Sequence, residues 1–443
     1  MGKFGRTCRA DNKAGQAVRA VAKDRPRIAL VFGGLAGGGI ERSMLRTAKG
    51  LAERGTAVTI IVRDSQGDLR AEIPDDVQVF VTRSASSWLG RLFALAADPG
   101  AARYILTGAV PKRIAHLPHL VKLFRQLRPD AVLAAAPPSN ILAVWARRLA
   151  GVDSCVAVSQ RNQTSLAAKN AARRHGGYPP GLVRHVYGQA DAIVAVSAGV
   201  ADDLATHVGI PRERIATIFN PVVSSAMILQ SAEPVDHPWF AAGAPPVVLG
   251  VGRLTAQKDF PTLIRAFARV RAERPVRLMI LGEGKPEMHA ELRALADSLG
   301  CAADVDLPGF APNPFAYMAL SGVFVLSSAW EGFGNVVVEA LACGCPVVST
   351  NCPSGPAEIL DGGRYGALVP VGDAAAMADA ILAMLAHPPE RAALTARGAE
   401  FSVDRAVERY LELLMPTQDA PACRASAHAP ASKDLASHGS RRV

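Results

Sequence analysis

Aromatic residues, paired cysteines and long apolar segments are all scarce in this sequence. Phe, Trp and Tyr make up only 5% of its 443 residues, and no helix-turn-helix, zinc-finger or RNA-stacking motif occurs, which disfavours a nucleic-acid-binding protein. The seven cysteines form no C-x-x-C pair, so neither a disulfide framework nor a structural zinc site is expected, and a reducing compartment fits best. Cys343, Cys345 and Cys352 lie close together in sequence and are interpreted as small buried thiols.

Membrane-spanning and secretory segments are also missing. No apolar run free of proline and charge reaches the roughly eighteen residues of a membrane-spanning helix. Residues 1–25 are basic but have no apolar core, so they do not resemble a secretory signal. We expect 1–25 to be a disordered lead-in, and 417–443, rich in Pro, Ala, Ser and His, to be a disordered tail. The expected location is the cytoplasm, either free or in peripheral contact with the inner face of the plasma membrane.

The usual nucleotide-binding fingerprints do not fit the glycine-rich stretch V-F-G-G-L-A-G-G-G-I-E-R-S at residues 31–43. Ala36 breaks the dinucleotide pattern G-x-G-x-x-G, and Gly39 stands where the P-loop pattern requires lysine. The glycines still predict a tight turn with exposed backbone N–H groups. The main nucleotide contacts must therefore lie elsewhere in the chain.

Positive charge is concentrated in the first half of the chain. Residues 1–225 contain 31 Lys and Arg against 16 Asp and Glu, whereas the remainder contains 18 against 23, and the net charge is +10. Such an excess suits an anionic membrane face or a phosphorylated substrate. Nucleic acid is the weakest candidate partner because aromatic residues are so few.

Two series of apolar strands alternate with helical periodicity. The first covers residues 26–220, from R-I-A-L-V-F-G to R-I-A-T-I-F-N, and the second covers 247–416, beginning at P-V-V-L-G-V-G-R-L. Between them, 221–246 contains prolines and no sustained periodicity, which indicates an interdomain linker. The pattern predicts an α/β fold with two Rossmann-like, doubly wound parallel sheets that face each other across a cleft. The last helix of the second series is a candidate to cross back to the first domain.

The stretch S-S-A-W-E-G-F-G-N-V-V-V-E-A-L-A-C-G-C-P-V-V-S-T at residues 327–350 has the clearest chemical pattern. A strand is followed by a glycine-containing loop and by a helix that is predicted to start near Asn335. The free N–H groups and positive dipole end of that helix form an anion site suited to a diphosphate. Glu331 and Glu339 flank this site, and either residue alone would also be ordinary as a solvated surface glutamate.

In the context E-G-F-G-N-x-x-x-E-A-x-A-x-G-x-P, Glu331 and Glu339 resemble the signature of family 4 retaining glycosyltransferases, which have the two-domain GT-B fold. The resemblance implies that the first domain binds the acceptor and the second binds a nucleotide-sugar. It also implies that Glu331 contacts the donor sugar hydroxyls and that Glu339 contacts the ribose hydroxyls. The adjoining positions with an implied donor-binding role are Gly332, Phe333, Gly334, Asn335 and Val336.

Other matches to the same family follow in the expected order. V-G-R-L-T-A-Q-K-D-F-P-T-L-I-R-A-F resembles G-R-L-x-x-x-K-x-x-x-x-L-I-x-A, which implies that Arg253 and Lys258 bind the donor diphosphate and act with Glu331 in catalysis. L-P-G-F resembles the nucleobase-binding region, with Phe310 as the candidate. N-C-P-S-G-P-A-E-I-L at 351–360 is similar to bacterial enzymes of surface-polysaccharide synthesis and suggests a UDP-sugar donor.

The first domain both matches the family and departs from it. Gly38 and Gly39 belong to a loop that resembles the family's G-G-x-E-R loop, which faces the transferred sugar and the acceptor. Many members carry a histidine after a strand like C-V-A-V-S, where this chain has Ser159 to Asn162. In this neighbourhood Arg161 is a candidate contact for the sugar or a phosphate.

Two further features are interpreted as outside the catalytic site. His116 and His119 lie in a basic helical stretch and are assigned to solvent or to a membrane face. Asp304-Val305-Asp306 matches the D-x-D motif by which another glycosyltransferase fold binds a divalent metal. Because this motif lies in the second series and not near the start of the chain, we expect no metal and no cofactor.

The resemblance implies a retaining hexosyltransferase that works by a metal-independent front-face mechanism, with a glycan or lipid-diphosphate-linked acceptor in cell-surface polysaccharide synthesis. The stretch 86–129 mixes apolar and basic residues, so it either lies on an anionic bilayer or supplies the core of its domain. Two other functions stay open at this point. One is a catalytically silent sugar-nucleotide-binding protein, and the other is an NAD-dependent oxidoreductase.

Overall fold

Two parallel β-sheets organise the chain in the computed structural model, which describes residues 25–166 and 178–416. The first sheet has seven strands in the order β3-β2-β1-β4-β5-β6-β7, and the second has six in the order β10-β9-β8-β11-β12-β13. The strands are β1 Arg27–Gly34, β2 Ala57–Asp64, β3 Gln78–Val81, β4 Ala131–Ala135, β5 Cys155–Gln160, β6 Ala192–Ala195, β7 Ile215–Thr217, β8 Val247–Val251, β9 Arg277–Leu281, β10 Val305–Gly309, β11 Val323–Leu326, β12 Val347–Thr350 and β13 Ala367–Val369.

Helices connect the strands and cover both sheets. They are α1 Gly39–Glu53, α2 Ser87–Ala97, α3 Ala102–Leu106, α4 Leu117–Leu127, α5 Pro137–Ala150, α6 Pro180–Tyr187, α7 Ala198–Asp203, α8 Ser225–Ser231, α9 Phe260–Glu273, α10 Pro286–Ser298, α11 Pro314–Leu320, α12 Asn335–Ala342, α13 Pro356–Ile359, α14 Ala374–Ala386, α15 Arg391–Ala399 and α16 Val403–Leu414. The predicted fold class, two doubly wound parallel α/β sheets, is confirmed.

The hydrophobic pattern explains why these elements form. All five residues of β4 are buried, as expected for a strand with helices on both faces of its sheet. In α1 the buried apolar residues Met44, Leu45, Ala48 and Leu51 recur at helical spacing and pack on the first sheet. Parallel strands all point the same way, so the carboxyl ends of each sheet form one edge where functional residues can collect.

The segment between the two sheets is more ordered than the sequence indicated. β7 ends at Thr217 and β8 begins at Val247, and α8 forms within the predicted linker and packs against α11. The short strands β3 and β13 were not predicted, because each has too few residues to show a clear period. The predicted lead-in up to residue 24 and the predicted tail lie outside the described residues.

The last helix, α16, returns from the second half of the chain to the first. Val403 and Val407 pack against Gly50 of α1, where an added Cβ would lie 2.6 Å from Val407 Cγ2. Arg54 of α1 also forms an ion pair with Asp404 at 2.8 Å. The chain therefore passes between the two halves twice, which fixes their relative position beside the cleft.

The basic stretch 86–129 contains both buried and exposed apolar residues. Leu117 and Phe124 are fully buried, whereas Trp88, Leu92 and Leu106 are 67%, 53% and 68% exposed. Part of this stretch thus supplies the core of its domain, and the exposed residues leave the contact with a bilayer a prediction. None of the described helices is long and apolar enough to cross a bilayer.

Candidate active site

The loop between β11 and α12 brings the strongest sequence motif to the carboxyl edge of the second sheet. Gly334 immediately precedes α12 and has φ +97°, a conformation that glycine adopts at little cost. It allows the chain to turn sharply, so that α12 starts at Asn335 with its free N–H groups at the sheet edge. Gly355 packs directly on this loop, because an added Cβ there would lie 1.8 Å from the Phe333 carbonyl oxygen.

Lys258 and Glu331 form an ion pair beside the start of α12. Lys258 Nζ donates to Glu331 Oε1 at 2.7 Å, and Ser328 Oγ donates to the same oxygen at 2.8 Å. The two side chains are only 16% and 11% exposed. Arg253 lies on the turn after β8 with an exposed side chain, and its guanidinium has no ion pair or hydrogen bond within the described part of the chain. A free arginine near a paired lysine at this edge suits an anionic ligand.

Glu339 lies on α12 and contacts the opposite half of the molecule. Its carboxylate is 11% exposed and is 3.5 Å from Arg46 Nη2 of α1. The other Arg46 nitrogen, Nη1, is buried and has no hydrogen-bond partner among residues 25–166 and 178–416. Sequence reasoning missed Arg46, whose only signal was its position on the helix that follows the glycine-rich loop.

Arg161 is buried and its side chain contacts other protein groups. Arg161 is only 5% exposed. Its Nη1 donates to Ser43 Oγ at 3.0 Å and to Asn220 Oδ1 at 2.8 Å. Asn220 Nδ2 in turn donates to Asn335 Oδ1 at 2.8 Å. A direct contact of Arg161 with sugar or phosphate stays a prediction. Arg161 orients Asn220, which holds the first residue of α12 from across the cleft.

The glycine-rich loop after β1 also reaches α12. A Cβ added to Gly39 would lie 3.9 Å from Asn335 Nδ2, and one added to Gly38 would lie 2.4 Å from Glu41 Oε2. Gly39 therefore faces the donor-side helix, and Gly38 leaves the space that the Glu41 carboxylate occupies. The structure brings the glycine-rich loop and the E-G-F-G-N motif together although nearly three hundred residues separate them.

Other predicted donor-binding residues fall into different environments. Phe333 is 2% exposed and packs with Phe219 and Phe401 at ring-centroid distances of 5.5 and 5.6 Å, so its aromatic side chain stabilises the core. Phe310 follows β10 and is 55% exposed. Val336 is partly buried in the first turn of α12.

Glu358 of α13 links the two halves near this site and was not predicted. Its carboxylate accepts hydrogen bonds from the backbone N–H groups of Ala198 and Gly199 at 2.7 and 2.9 Å. These groups begin α7, so a carboxylate from the second half caps a helix of the first. On the same interface, Ser197 Oγ donates to the Gly332 carbonyl oxygen at 2.9 Å.

The cysteines and the D-x-D motif have structural environments. Cys343, Cys345 and Cys352 are free and buried, which confirms their interpretation as buried thiols, and burial raises the pKa of both Cys343 and Cys352 to about 12. Asp304 precedes β10 at the amino edge of the sheet and pairs with Arg271 and Arg277, while Asp306 pairs with His237 at 3.1 Å.

Comparisons with known proteins agree with this arrangement. The model of Glycosyltransferase Family 4 matches residues 37–225, and that of Glycosyl transferases group 1 matches residues 245–387. The lipopolysaccharide core biosynthesis glycosyltransferase LpsE of Rhizobium meliloti is 30% identical over 85% of this chain and 96% of its own length.

A second relative, matched over a shorter stretch, and a solved structure are also similar to this chain. A Campylobacter jejuni N-acetylgalactosamine-N,N'-diacetylbacillosaminyl-diphospho-undecaprenol 4-alpha-N-acetylgalactosaminyltransferase is 34% identical over 46% of this chain and 53% of its own. The structure of Anabaena HepE in complex with UDP and glucose superposes with a TM-score of 0.66 at 20% identity, covering 88% of this chain and 99% of that one. At that identity the likeness shows the shared fold.

Proposed function

The chain belongs to glycosyltransferase family 4, and we propose that it transfers a sugar from a UDP-linked donor, with retention of configuration, to a glycan or lipid-diphosphate-linked acceptor of cell-surface polysaccharide. One observation carries the proposal. Lys258, Glu331 and Glu339 converge at the start of α12, opposite the Gly38–Gly39 loop. The names of LpsE and of the Campylobacter enzyme, and the UDP bound to HepE, support these substrate classes. Family membership disfavours the silent binding protein and the oxidoreductase.

Each donor group has a complementary protein group in this proposal. The diphosphate lies against the N–H groups of α12 and is neutralised by Arg253 and Lys258. The Glu339 carboxylate accepts hydrogen bonds from the ribose hydroxyls, and Glu331 accepts from hydroxyls of the transferred sugar. Phe310, which is exposed beside the same sheet edge, offers a surface for the nucleobase.

The proposed reaction proceeds on one face of the sugar. The bond from the anomeric carbon to the β-phosphate oxygen breaks, the acceptor oxygen bonds to that carbon from the same side, and the acceptor proton moves to the departing phosphate oxygen. Double displacement would need a free carboxylate nucleophile, whereas Glu331 Oε1 already accepts from Lys258 and Ser328. The protein's contribution is to hold both substrates in position and to stabilise the negative charge of the leaving group.

We propose that no metal ion is required for this step. A divalent cation in such reactions neutralises the leaving diphosphate. Here Arg253, Lys258 and the positive end of α12 supply that charge at the same sheet edge. Asp304 of the D-x-D motif is held by two arginines at the opposite edge.

A donor screen tests the function directly. Purified protein is incubated with a membrane extract and with single nucleotide-sugars, and the released nucleoside diphosphate is measured with and without EDTA. We expect UDP release from one UDP-sugar, at a rate that EDTA changes by less than about twofold. UDP should also raise the unfolding temperature, because a ligand that binds only the folded state stabilises it. Stabilisation by NADH but not by UDP, or EDTA inhibition that Mg²⁺ reverses, would contradict the proposal.

We further propose that the first half of the chain touches an anionic membrane through Trp88, Leu92 and Leu106, as a lipid-linked acceptor would require. Arg91 and Arg103 are exposed on the same helices, and apolar and basic side chains together favour such a surface. Replacing Trp88 by serine should weaken binding to phosphatidylglycerol vesicles about tenfold in a sedimentation assay. Leu299→Ser, at an exposed position of the other half, is the control. Equal binding by both variants would refute this contact.

A further inference from the structure

A second pocket lies at the carboxyl edge of the first sheet, separate from the donor-binding residues. It is a small, half-open depression with a cavity volume of about 30 Å³, between the ends of β1 and β2 and the starts of α4 and α5. Its apolar floor is formed by strand and helix residues, and its polar lining consists of Arg63, Thr82, Arg113, His116 and Ser139. No side chain of this pocket was assigned a role in catalysis or donor binding above.

Two arginines in this pocket have no partner of their own. Neither Arg63 nor Arg113 forms an ion pair or a side-chain hydrogen bond within residues 25–166 and 178–416. Both line the same pocket, and partial burial together with the Arg63 charge lowers the pKa of Arg113. Glu41 is the one carboxylate that acts on Arg113 in the opposite sense, and it is not within ion-pair distance. Arg63 is partly buried and Arg113 is exposed to solvent, so both guanidinium groups can reach an anion that binds at the mouth of this pocket.

The remaining polar groups suit the same ligand. His116 Nδ1 is 3.0 Å from Thr82 Oγ1 and 3.2 Å from the Thr82 carbonyl oxygen, which fixes the orientation of the ring. Burial and the charges of Arg63 and Arg113 lower the pKa of His116, which favours the neutral ring as a hydrogen-bonding group. The residue is therefore not directed to solvent or to a membrane, contrary to its sequence interpretation. A neutral imidazole and the Ser139 hydroxyl can each hydrogen-bond to a group that enters the pocket beside the arginines.

The pocket adjoins the place where transfer is proposed to occur. A Cβ added to Gly33 would lie 3.9 Å from both Arg113 Nη1 and Glu41 Oε1, and the same glycine-rich loop continues to Gly39, which faces Asn335 of α12. One loop thus separates the pocket from the donor-side helix. A molecule bound at the mouth of the pocket would therefore lie on the same loop as Gly39.

We propose that this pocket recognises an anionic substituent, a phosphate or a carboxylate, on the acceptor sugar. The inference rests on the proposed glycosyltransferase function and makes its acceptor class more specific. Arg63 and Arg113 bind the anion, and the acceptor hydroxyl then lies toward the Gly38–Gly39 loop. An acceptor without the charged group lacks these contacts and is a poorer substrate.

Binding of simple anions tests the pocket without requiring the natural acceptor. Methyl phosphate and acetate are titrated at constant ionic strength into protein saturated with UDP, which occupies Arg253 and Lys258. Arg63→Gln and Arg113→Gln are each expected to weaken binding of at least one anion about tenfold. Arg214→Gln removes an exposed arginine at the amino edge of the same sheet and should leave binding within about twofold. The better-bound anion distinguishes a phosphate acceptor from a carboxylate one.

Acceptor preference is the second measurement. Transfer to mannose 6-phosphate is compared with mannose, and transfer to glucuronate with glucose. We expect one charged sugar to be preferred, and Arg113→Gln to remove that preference while transfer to the neutral sugar and the UDP affinity stay unchanged. The proposal is overturned if wild type binds neither anion, or if the control variant loses as much binding as the pocket variants. Anion binding by a protein that fails to bind UDP would support the pocket and contradict the glycosyltransferase mechanism.

Discussion

Replacing Glu331 by glutamine is expected to lower kcat for sugar transfer about 100-fold or more, while the Kd for UDP changes by less than about threefold. The glutamine has the size of the glutamate but no charge, so it cannot pair with Lys258 as the carboxylate does at 2.7 Å. Both the sugar hydroxyls and the Lys258 ammonium then lose a charged acceptor. UDP itself is held by α12, Arg253 and Glu339, which the change leaves in place. UDP release reports transfer, and calorimetric titration reports affinity.

The control for this variant is Glu287→Gln, on the exposed first turn of α10 in the same half of the chain. It makes the same change of charge at the surface, and we expect wild-type transfer. The unfolding temperature of each variant is measured to check that both are folded at the assay temperature. Transfer by Glu331→Gln at the wild-type rate would show that Glu331 has no catalytic role. A parallel fall in UDP affinity would assign the residue to the nucleotide instead.

The sequence predicted the loop and the helix start around Asn335 correctly because these residues lie close together along the chain. Glu331, Asn335 and Glu339 belong to one loop and the first turns of one helix, so local spacing alone places them around the start of α12. The parallel sheets were predictable for a similar reason, because each strand and helix shows its own period. Strands β3 and β13 were missed because each is too short to show a hydrophobic period.

Contacts across the cleft were not predictable in this way. The positions of Arg161, Arg46 and Glu358 depend on which residues of the other half face them, and no local pattern contains that information. Arg161 illustrates the difficulty, since the family resemblance suggested a ligand contact whereas its Nη1 donates to Ser43 and Asn220. Arg63 and Arg113 likewise meet only because β2 and the chain before α4 end at the same sheet edge.

Replacing Gly332 by valine is expected to lower transfer about 100-fold with UDP affinity nearly unchanged, because the two halves of the molecule meet at this residue. A Cβ at Gly332 would lie 2.0 Å from the Arg161 carbonyl oxygen and 2.7 Å from Asn162 Oδ1, both in the first half. The backbone oxygen cannot rotate away, so the halves must separate. Separation also strains the hydrogen bond from Ser197 to Gly332 and moves Asn220 from Asn335. UDP release and calorimetric titration give the two quantities.

Gly332 is a better position than the neighbouring glycines for testing the close contact between the two halves. Gly334 and Gly355 have φ values of +97° and +91°, so a side chain there would strain the backbone whatever it touched. Gly332 is not among the positive-φ glycines, and its substitution changes the contact alone.

Gly300→Ala is the control that strains the backbone without creating a new contact, since its φ is +68° and an added Cβ would touch nothing within 4 Å. It should reduce stability and leave transfer intact. If Gly332→Val transferred sugar at the wild-type rate, transfer would not require the close contact between Gly332 and Arg161. The bridges from Arg46 to Glu339 and from Asn220 to Asn335 would then have to form without it.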